Sequence, residues 1–128
     1  EYRFNQTEGG VQYQGIEVGW LPEGYELVRN QSTNGSISQL YVKSSDTIEQ
    51  TVEVQIIKFD GAGVFKVDTE ADQVYQVSVQ NTLSTVIERN GRVQITWMYP
   101  KSNCIVMLYS DNISAETALR IAQSIVLS

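Results

Sequence analysis

The groups in this chain that could carry chemistry are an alternating set of carboxylates and a glycine-rich stretch. Asp68, Glu70 and Asp72 alternate as the oxygen ligands of a calcium loop do. The later glutamate and the glycine of a helix–loop–helix calcium site are absent from this stretch, so a solvated loop is the better interpretation. Residues 60–63 read Asp-Gly-Ala-Gly. No Lys-Ser/Thr pair and no long helix follow, which favours a turn over a phosphate-binding loop.

Nucleophilic catalysis lacks its usual base, because the chain contains no histidine. Histidine is the commonest general base and the commonest transition-metal ligand. The single cysteine, Cys104, falls in an apolar strand with no basic neighbour apparent, where a thiol behaves as a small hydrophobe. Most carboxylates fall in loops or at outward strand positions, which leaves paired-carboxylate hydrolysis as a minor alternative. The sequence therefore predicts no catalytic residue, no cofactor and no bound metal.

The composition limits the classes of partner. The chain has 128 residues, nine of them basic and fifteen acidic, and a formal net charge of −6. Nucleic-acid binding requires clustered Lys and Arg, whereas here they are scattered singly, and the same acidity disfavours an anionic membrane surface. No stretch is apolar over the about 20 residues that a membrane helix needs. We expect one domain over residues 1–128, excised from a longer membrane-anchored or secreted protein because it does not start at methionine.

The last third of the chain predicts a pair of strands followed by a helix, and these elements organise the rest. Residues 92–99 alternate between apolar and polar side chains, with Trp97 on the apolar side, and residues 104–109 are apolar on both faces. Ser114 supplies an oxygen for the free N–H groups of a helix start. Three- and four-residue spacing of apolar residues then predicts a helix over 114–126 that lays one face on a sheet. That face comprises Ala115, Ala118, Leu119, Ala122, Ile125 and Val126.

Near the other end, residues 16–27 predict a bend that is held in the core. Pro22 fixes φ, and Gly24 can take the positive φ that the turn needs. The side chains expected to anchor this bend are Trp20, Leu21, Tyr25 and Leu27. The predicted structural anchors of the whole fold are Trp20, Pro22, Gly24, Tyr25, Trp97, Ser114, Leu119, Ala122 and Ile125.

The remaining alternation predicts a mostly antiparallel, curved sheet of about six to eight strands with one C-terminal helix packed on one face, an α+β architecture. A sheet of six strands is about 30 Å wide, whereas a helix is only about 10 Å across. Either the sheet curls around the helix, or the N-terminal segment 1–15 covers the rest, or part of one face stays exposed for a partner. The other predicted strands are 11–13, 26–31, 37–42, 51–59, 73–80 and 83–89, with hairpin turns at Asn34-Gly35 and Asn90-Gly91.

Two stretches resemble a known bacterial family. Residues 19–27, Gly-Trp-Leu-Pro-Glu-Gly-Tyr-Glu-Leu, resemble the W-L-P-x-G-Y opening of the family called domain of unknown function 4367. Its ending, l-x-W … l-s-x-e-e-l-x-k-I-A-x-S-I, is similar to residues 95–97, Ile-Thr-Trp, followed by the run 112–125 with Asn-Ile-Ser-Ala-Glu and Leu-Arg-Ile-Ala-Gln-Ser-Ile. The resemblance covers nearly the whole chain from about residue 16 onward.

The resemblance implies an extracytoplasmic setting. Members occur mostly in Gram-positive bacteria, commonly as the C-terminal part of a single-span protein or lipoprotein, and in some the cytoplasmic part resembles an anti-sigma factor. No catalytic residues are known for the family, so none is carried over. We therefore expect a non-enzymatic sensory or protein-interaction domain that binds a protein or envelope component. The alternatives are a carrier for an apolar ligand held between sheet and helix, and a carboxylate-based hydrolase.

Overall fold

The structure, a computed structural model, describes residues 2–4, 15–33, 36–45, 47–58, 63–65, 71–100, 102 and 104–128. The predicted strand at 11–13, the Asn34-Gly35 turn, the glycine-rich residues 60–62 and the acidic residues 68–70 lie outside this part. The elements, in chain order, are β1 Tyr2–Phe4, β2 Ile16–Val18, β3 Glu26–Thr33, β4 Ser36–Ser44, β5 Glu49–Lys58, β6 Gly63–Phe65, β7 Gln73–Val79, β8 Thr82–Arg89, β9 Arg92–Met98, β10 Cys104–Asp111, α1 Ala115–Gln123 and β11 Ile125–Leu127.

The main layer is a seven-stranded sheet in the order β3-β4-β5-β10-β9-β8-β7, in which every neighbouring pair is antiparallel. The predicted α+β class, with a C-terminal helix on one face of a mostly antiparallel sheet, is confirmed. Asn90 and Gly91 have φ values of 48° and 78°, so the predicted hairpin turn between β8 and β9 is present. Two further pairs, β1 with β6 and β2 with β11, are also antiparallel.

The helix begins as predicted and ends earlier than predicted. Ser114 has extended backbone angles, and its side chain accepts a hydrogen bond from the Thr117 N–H, which caps the first turn. The prediction of a helix through Val126 is wrong, because α1 ends at Gln123 and the chain turns at Ser124. The Ser124 N–H and hydroxyl both donate to the Ile121 carbonyl, at 3.0 and 2.7 Å, and its own carbonyl accepts from the Gly19 N–H at 3.0 Å.

The three residues after this turn form β11 and pair with β2. Ile125 and Leu127 are buried while Val126 is 50% exposed, which is the alternation of a strand. Apolar residues over such a short run fit a helix and a strand equally well. Tertiary pairing with β2, which the local pattern does not contain, decides between them.

The core lies between the sheet and the layer formed by α1 and the β2–β11 pair. On α1 the buried residues are Ala118, Ile121 and Ala122, and the helix contacts β7, β9 and β10. In the bend, Trp20, Leu21 and Tyr25 pack against this core. Leu27 was expected to do the same, but it is 49% exposed because it lies on β3, an edge strand whose eight residues are all exposed. The fully buried large side chains include Trp97, Ile95, Leu108, Ile121 and Ile125.

Gln80 joins the sheet to the C-terminal layer. It lies in the turn between β7 and β8 with φ of 53°. Its Oε1 accepts from the indole N–H of Trp97 at 3.1 Å, and its Nε2 donates to the Ile125 carbonyl at 2.6 Å. Gln123, on the helix, also contacts this residue: its Oε1 accepts a hydrogen bond from the Gln80 N–H at 2.9 Å. One amide side chain thus satisfies a buried indole and a strand carbonyl at once.

Candidate functional site: the open face of the sheet

The two faces of the large sheet differ in what covers them. Strand register places Trp97, Val106 and Ile56 in one cross-strand row, on the face where α1 and the β2–β11 pair lie. Gln39 belongs to the same face, and its Nε2 donates to the Ile16 carbonyl of β2 at 3.1 Å. Neither α1 nor the β2–β11 pair lies on the opposite face, where Leu40, Glu53, Gln94 and Tyr109 are partly exposed but Thr85, Ile87 and Thr96 are buried. We call that second face the open face.

A groove crosses the open face. Leu40, Glu53, Tyr109, Gln94 and Ile87 are consecutive partners across β4, β5, β10, β9 and β8, so they form one continuous row. Five adjacent strands span about 19 Å at the usual spacing. The groove has a volume of about 530 Å³, which is within the range of ligand sites. A second row lines it with Thr51, Asp111, Arg92 and Arg89.

Ion pairs connect charged side chains on this surface. Arg29 of β3 reaches across to Glu53, whose other oxygen accepts from the Gln55 side chain at 3.1 Å. Arg92 contacts Asp111 at 3.1 Å from Nε to Oδ1. Because both pairs are solvent-exposed in part, they contribute little to stability and can exchange partners at low cost. The face therefore combines apolar positions with charges that a partner can reach.

Tyr109 is at the centre of the first row. Burial raises the pKa of its phenol, and the negative charge of Glu53 raises it further. Its hydroxyl donates to the sulfur of Met107 at 3.3 Å. The phenol consequently stays neutral at physiological pH, so Tyr109 offers the groove an aromatic surface with a polar tip, a combination that is enriched at binding surfaces.

The model of the family described as Domain of unknown function (DUF4367) matches residues 15–125. This chain belongs to that family. Comparison with curated proteins gives no match, and neither does comparison with solved structures. The family match runs from the start of the β2 layer to the first residue of β11, so it includes both the covered core and the open face.

The residues of the family's opening motif lie on the covered side of the sheet. The Trp20 N–H donates to the Ser124 hydroxyl at 3.0 Å, and the Arg120 guanidinium lies over the Trp20 ring at 4.0 Å from its centroid. Tyr25 and Pro22 are half-buried, and Gly24 has φ of 95° with the Lys43 side chain against it. These residues build the layer, and none of them reaches the groove.

The motif residues from the C-terminal third lie on the same side. Trp97 is fully buried, Ser114 caps α1, and Leu119 packs half-buried against the core beside the fully buried Ala122 and Ile125. Asp72, the described member of the acidic stretch, accepts a hydrogen bond from the Asn90 N–H at 3.0 Å. Within the described residues no cluster of His, Cys, Asp or Glu could hold a metal ion, and Cys104 is buried.

A sheet face exposed in part was one of the three alternatives that the sequence left open, but the sequence did not identify the residues of the groove. The available signal was that Glu53 and Gln55 alternate with buried valines on β5. It could not be extended, because the groove is assembled by cross-strand register among five strands. Gln80 was also missed, since a glutamine at the end of a strand has no distinguishing local pattern. In the described part of the chain no helix has the length and apolarity to span a bilayer.

Proposed function

We propose that this chain is a non-enzymatic, extracytoplasmic sensory or protein-interaction domain of a bacterial envelope protein, and that it binds its partner on the open face. The observation that carries the proposal is the groove lined by the Leu40–Ile87 row, on the side of the sheet away from α1. Tyr109 and Gln94 lie at its centre beside Glu53, with Leu40 at one end of the row, and the Arg92–Asp111 pair lines its side. A partner would therefore meet an aromatic surface, hydrogen-bonding groups and charges, a polar mixture that reversible interfaces commonly have.

The extracytoplasmic part of the proposal rests on the family resemblance. Members of the family commonly follow a single membrane span or a lipid anchor, and an acidic domain with one buried cysteine is compatible with that setting. In such a protein the groove would report on a partner outside the membrane. The anchor would carry the consequence to the cytoplasmic side.

The carrier alternative is weakened by the packing under the helix. A ligand between sheet and helix would need the space that Trp97, Ile121 and Ile125 occupy, and all three side chains are fully buried. Opening a cavity there would remove large apolar contacts. The hydrolase alternative is weakened because the two groove carboxylates, Glu53 and Asp111, are both engaged by arginines.

The location is tested by cysteine labelling of the full-length protein in its own cells. Replacing the buried Cys104 with serine and the exposed Thr47 with cysteine gives the domain one reactive thiol. We expect a membrane-impermeant maleimide to label intact cells as strongly as lysed cells. Labelling that requires lysis would contradict an extracytoplasmic location.

The binding surface is tested by site-specific photo-crosslinking in the same cells. Benzoylphenylalanine replaces Gln94 or Arg92 in the groove, and Glu116 on α1 serves as the matched exposed control. We expect both groove positions to give an adduct of the same discrete mass and the control to give none. Adducts that are equal at all three positions, or none at the groove positions, would contradict binding on the open face.

A further inference from the structure

Among the strands that the structure describes, one edge of the large sheet is open to further pairing. β3 is at the end of the strand order, and all eight of its residues are exposed. Leu27 and Val28 are 49% and 55% exposed, so two large apolar side chains lie next to each other on an edge that pairs with no further strand of the described residues. Natural sheets seldom leave an edge of this length unprotected, because its free N–H and C=O groups recruit other strands.

At the opposite edge of the sheet, part of the backbone already has a hydrogen-bond partner. β7 ends the sheet on that side, and the Gln123 side chain of α1 donates to the Ser78 carbonyl at 3.1 Å. Val79 at its end is fully buried. β7 also contains no charged residue that could select a partner. A specific strand partner is therefore better accommodated at β3.

A β-bulge in β3 puts two opposite charges on one face. The register of β3 against β4 shifts between Leu27 and Arg29, so that Glu26 is opposite Val42 while Arg29 is opposite Leu40. Val42 and Leu40 are two residues apart on β4 and therefore point to the same face. Without the bulge, a separation of three residues would put Glu26 and Arg29 on opposite faces.

This stretch, Glu-Leu-Val-Arg at 26–29, is complementary to itself when two copies run antiparallel. In the register that pairs Glu26 of one copy with Arg29 of the other, a twofold axis perpendicular to the sheet also pairs Arg29 with Glu26. Leu27 is then opposite Val28. Both copies carry two residues between the paired charges, so the bulge of one strand faces the bulge of the other and neither strand has an unmatched residue.

We propose that β3 is a homodimer interface, in which two copies of this chain pair antiparallel in that register to form one continuous sheet. Bulges and charges at an edge ordinarily prevent strand addition. At β3 the bulge and the charges would hinder pairing with an unrelated strand, whereas a second copy of this chain presents the matching bulge and the opposite charges. Opposite charges placed directly across an antiparallel pair are stabilising, and like charges there are destabilising. The inference does not depend on what binds in the groove.

The proposed dimer leaves both open faces on the same side, because the twofold axis is perpendicular to the sheet. Arg29 lies at the border between the two features, since it contacts Glu53 of the groove row. Its guanidinium has five N–H donors, enough to hydrogen-bond to Glu53 of the same chain and to Glu26 of the second copy at once. The two grooves of a dimer would therefore be available to one partner surface.

The first experiment is sedimentation equilibrium of the chain from about 1 µM to about 1 mM, a range that detects weak association. We expect a reversible monomer–dimer equilibrium. Glu26→Arg and Arg29→Glu each place like charges across the interface twice and should weaken dimerisation at least about tenfold. The double variant E26R/R29E should return the dissociation constant to within about threefold of the original.

The second experiment mixes the two single variants. A Glu26→Arg chain and an Arg29→Glu chain complement each other at both charge positions, so an equimolar mixture should dimerise although neither variant does so alone. Glu17→Arg, at an exposed position on β2, controls for the change in net charge, and Glu53→Gln controls for loss of the Arg29 pair within one chain. Both controls should dimerise as the original chain does.

Three results would overturn the proposal. A chain that stays monomeric throughout the concentration range has no such interface. Single variants that dimerise unchanged show that another surface is used. A mixture of the two single variants that stays monomeric, although circular dichroism shows both to be folded, excludes the register between Glu26 and Arg29.

Discussion

Replacing Gln80 with alanine removes the side chain that connects the sheet to the C-terminal layer. Both glutamine and alanine carry a Cβ, so the positive φ at this position is equally unfavourable in the two proteins. The loss is therefore confined to hydrogen bonds. The indole N–H of Trp97 loses its acceptor at 3.1 Å, and the Ile125 carbonyl loses a donor at 2.6 Å.

The expected loss of stability follows from leaving these two groups without partners. An unsatisfied buried donor or acceptor costs roughly 1–3 kcal/mol. Trp97 and Ile125 are both fully buried residues, but the site is at the edge of the core, where water can replace part of what is lost. We expect Gln80→Ala to lower the free energy of unfolding by about 2–3 kcal/mol, which for a chain of this length lowers Tm by about 10 °C.

Urea denaturation followed by tryptophan fluorescence measures this change, because Trp97 is one of two tryptophans. Gln76→Ala is the matched control, since Gln76 is an exposed glutamine on β7, the strand that leads into this turn, and its effect should be within about 0.5 kcal/mol. A loss below about 1 kcal/mol for Gln80→Ala, or an equal loss for Gln76→Ala, would show that the amide does not hold the layers together.

Three further changes test other parts of the fold. Ser114→Ala removes the N-cap of α1 and should destabilise the chain by about 1 kcal/mol in urea denaturation. Gly19→Ala would place a Cβ 2.8 Å from the backbone carbonyl of the helix C-cap residue and should cost about 1–3 kcal/mol, whereas Gly15→Ala meets only a movable hydroxyl and should cost less. Burial and the hydrogen bond to Glu88 raise the pKa of Tyr75 to about 12. The stability that the protonated phenol contributes is therefore complete below pH 10 and is lost as the pH rises towards 12. Tyr75→Phe should abolish that part of the decline in Tm at alkaline pH.

The parts of the fold that the sequence predicts are those whose cause is local. Alternation on β9 reports directly that one face is buried, and the turn at Asn90-Gly91 requires residues that tolerate positive φ. The cap at Ser114 likewise needs only its own helix. These elements were predicted within a residue or two of their observed bounds.

The features that escaped prediction depend on partners distant in sequence. Ile125 belongs to a strand because β2, more than a hundred residues earlier, pairs with its segment. Leu27 is exposed because β3 is at the edge of the sheet, and strand order cannot be read from alternation. Gln80 acquires its role only when Trp97 and the end of α1 come together around it. Non-local pairing thus decided each of these positions.

The division of the sheet into a covered and an open face also limits what family membership indicates about this chain. Trp20 of the opening motif, and Trp97 and Ser114 of the closing motif, all serve the layer formed by α1 and β2–β11. None of them lies on the open face. A match to these motifs therefore specifies how the layers pack. Under the proposed function, recognition would depend instead on outward positions such as Tyr109 and Arg92, where side chains can change without disturbing the core, so the groove has to be tested in each member directly.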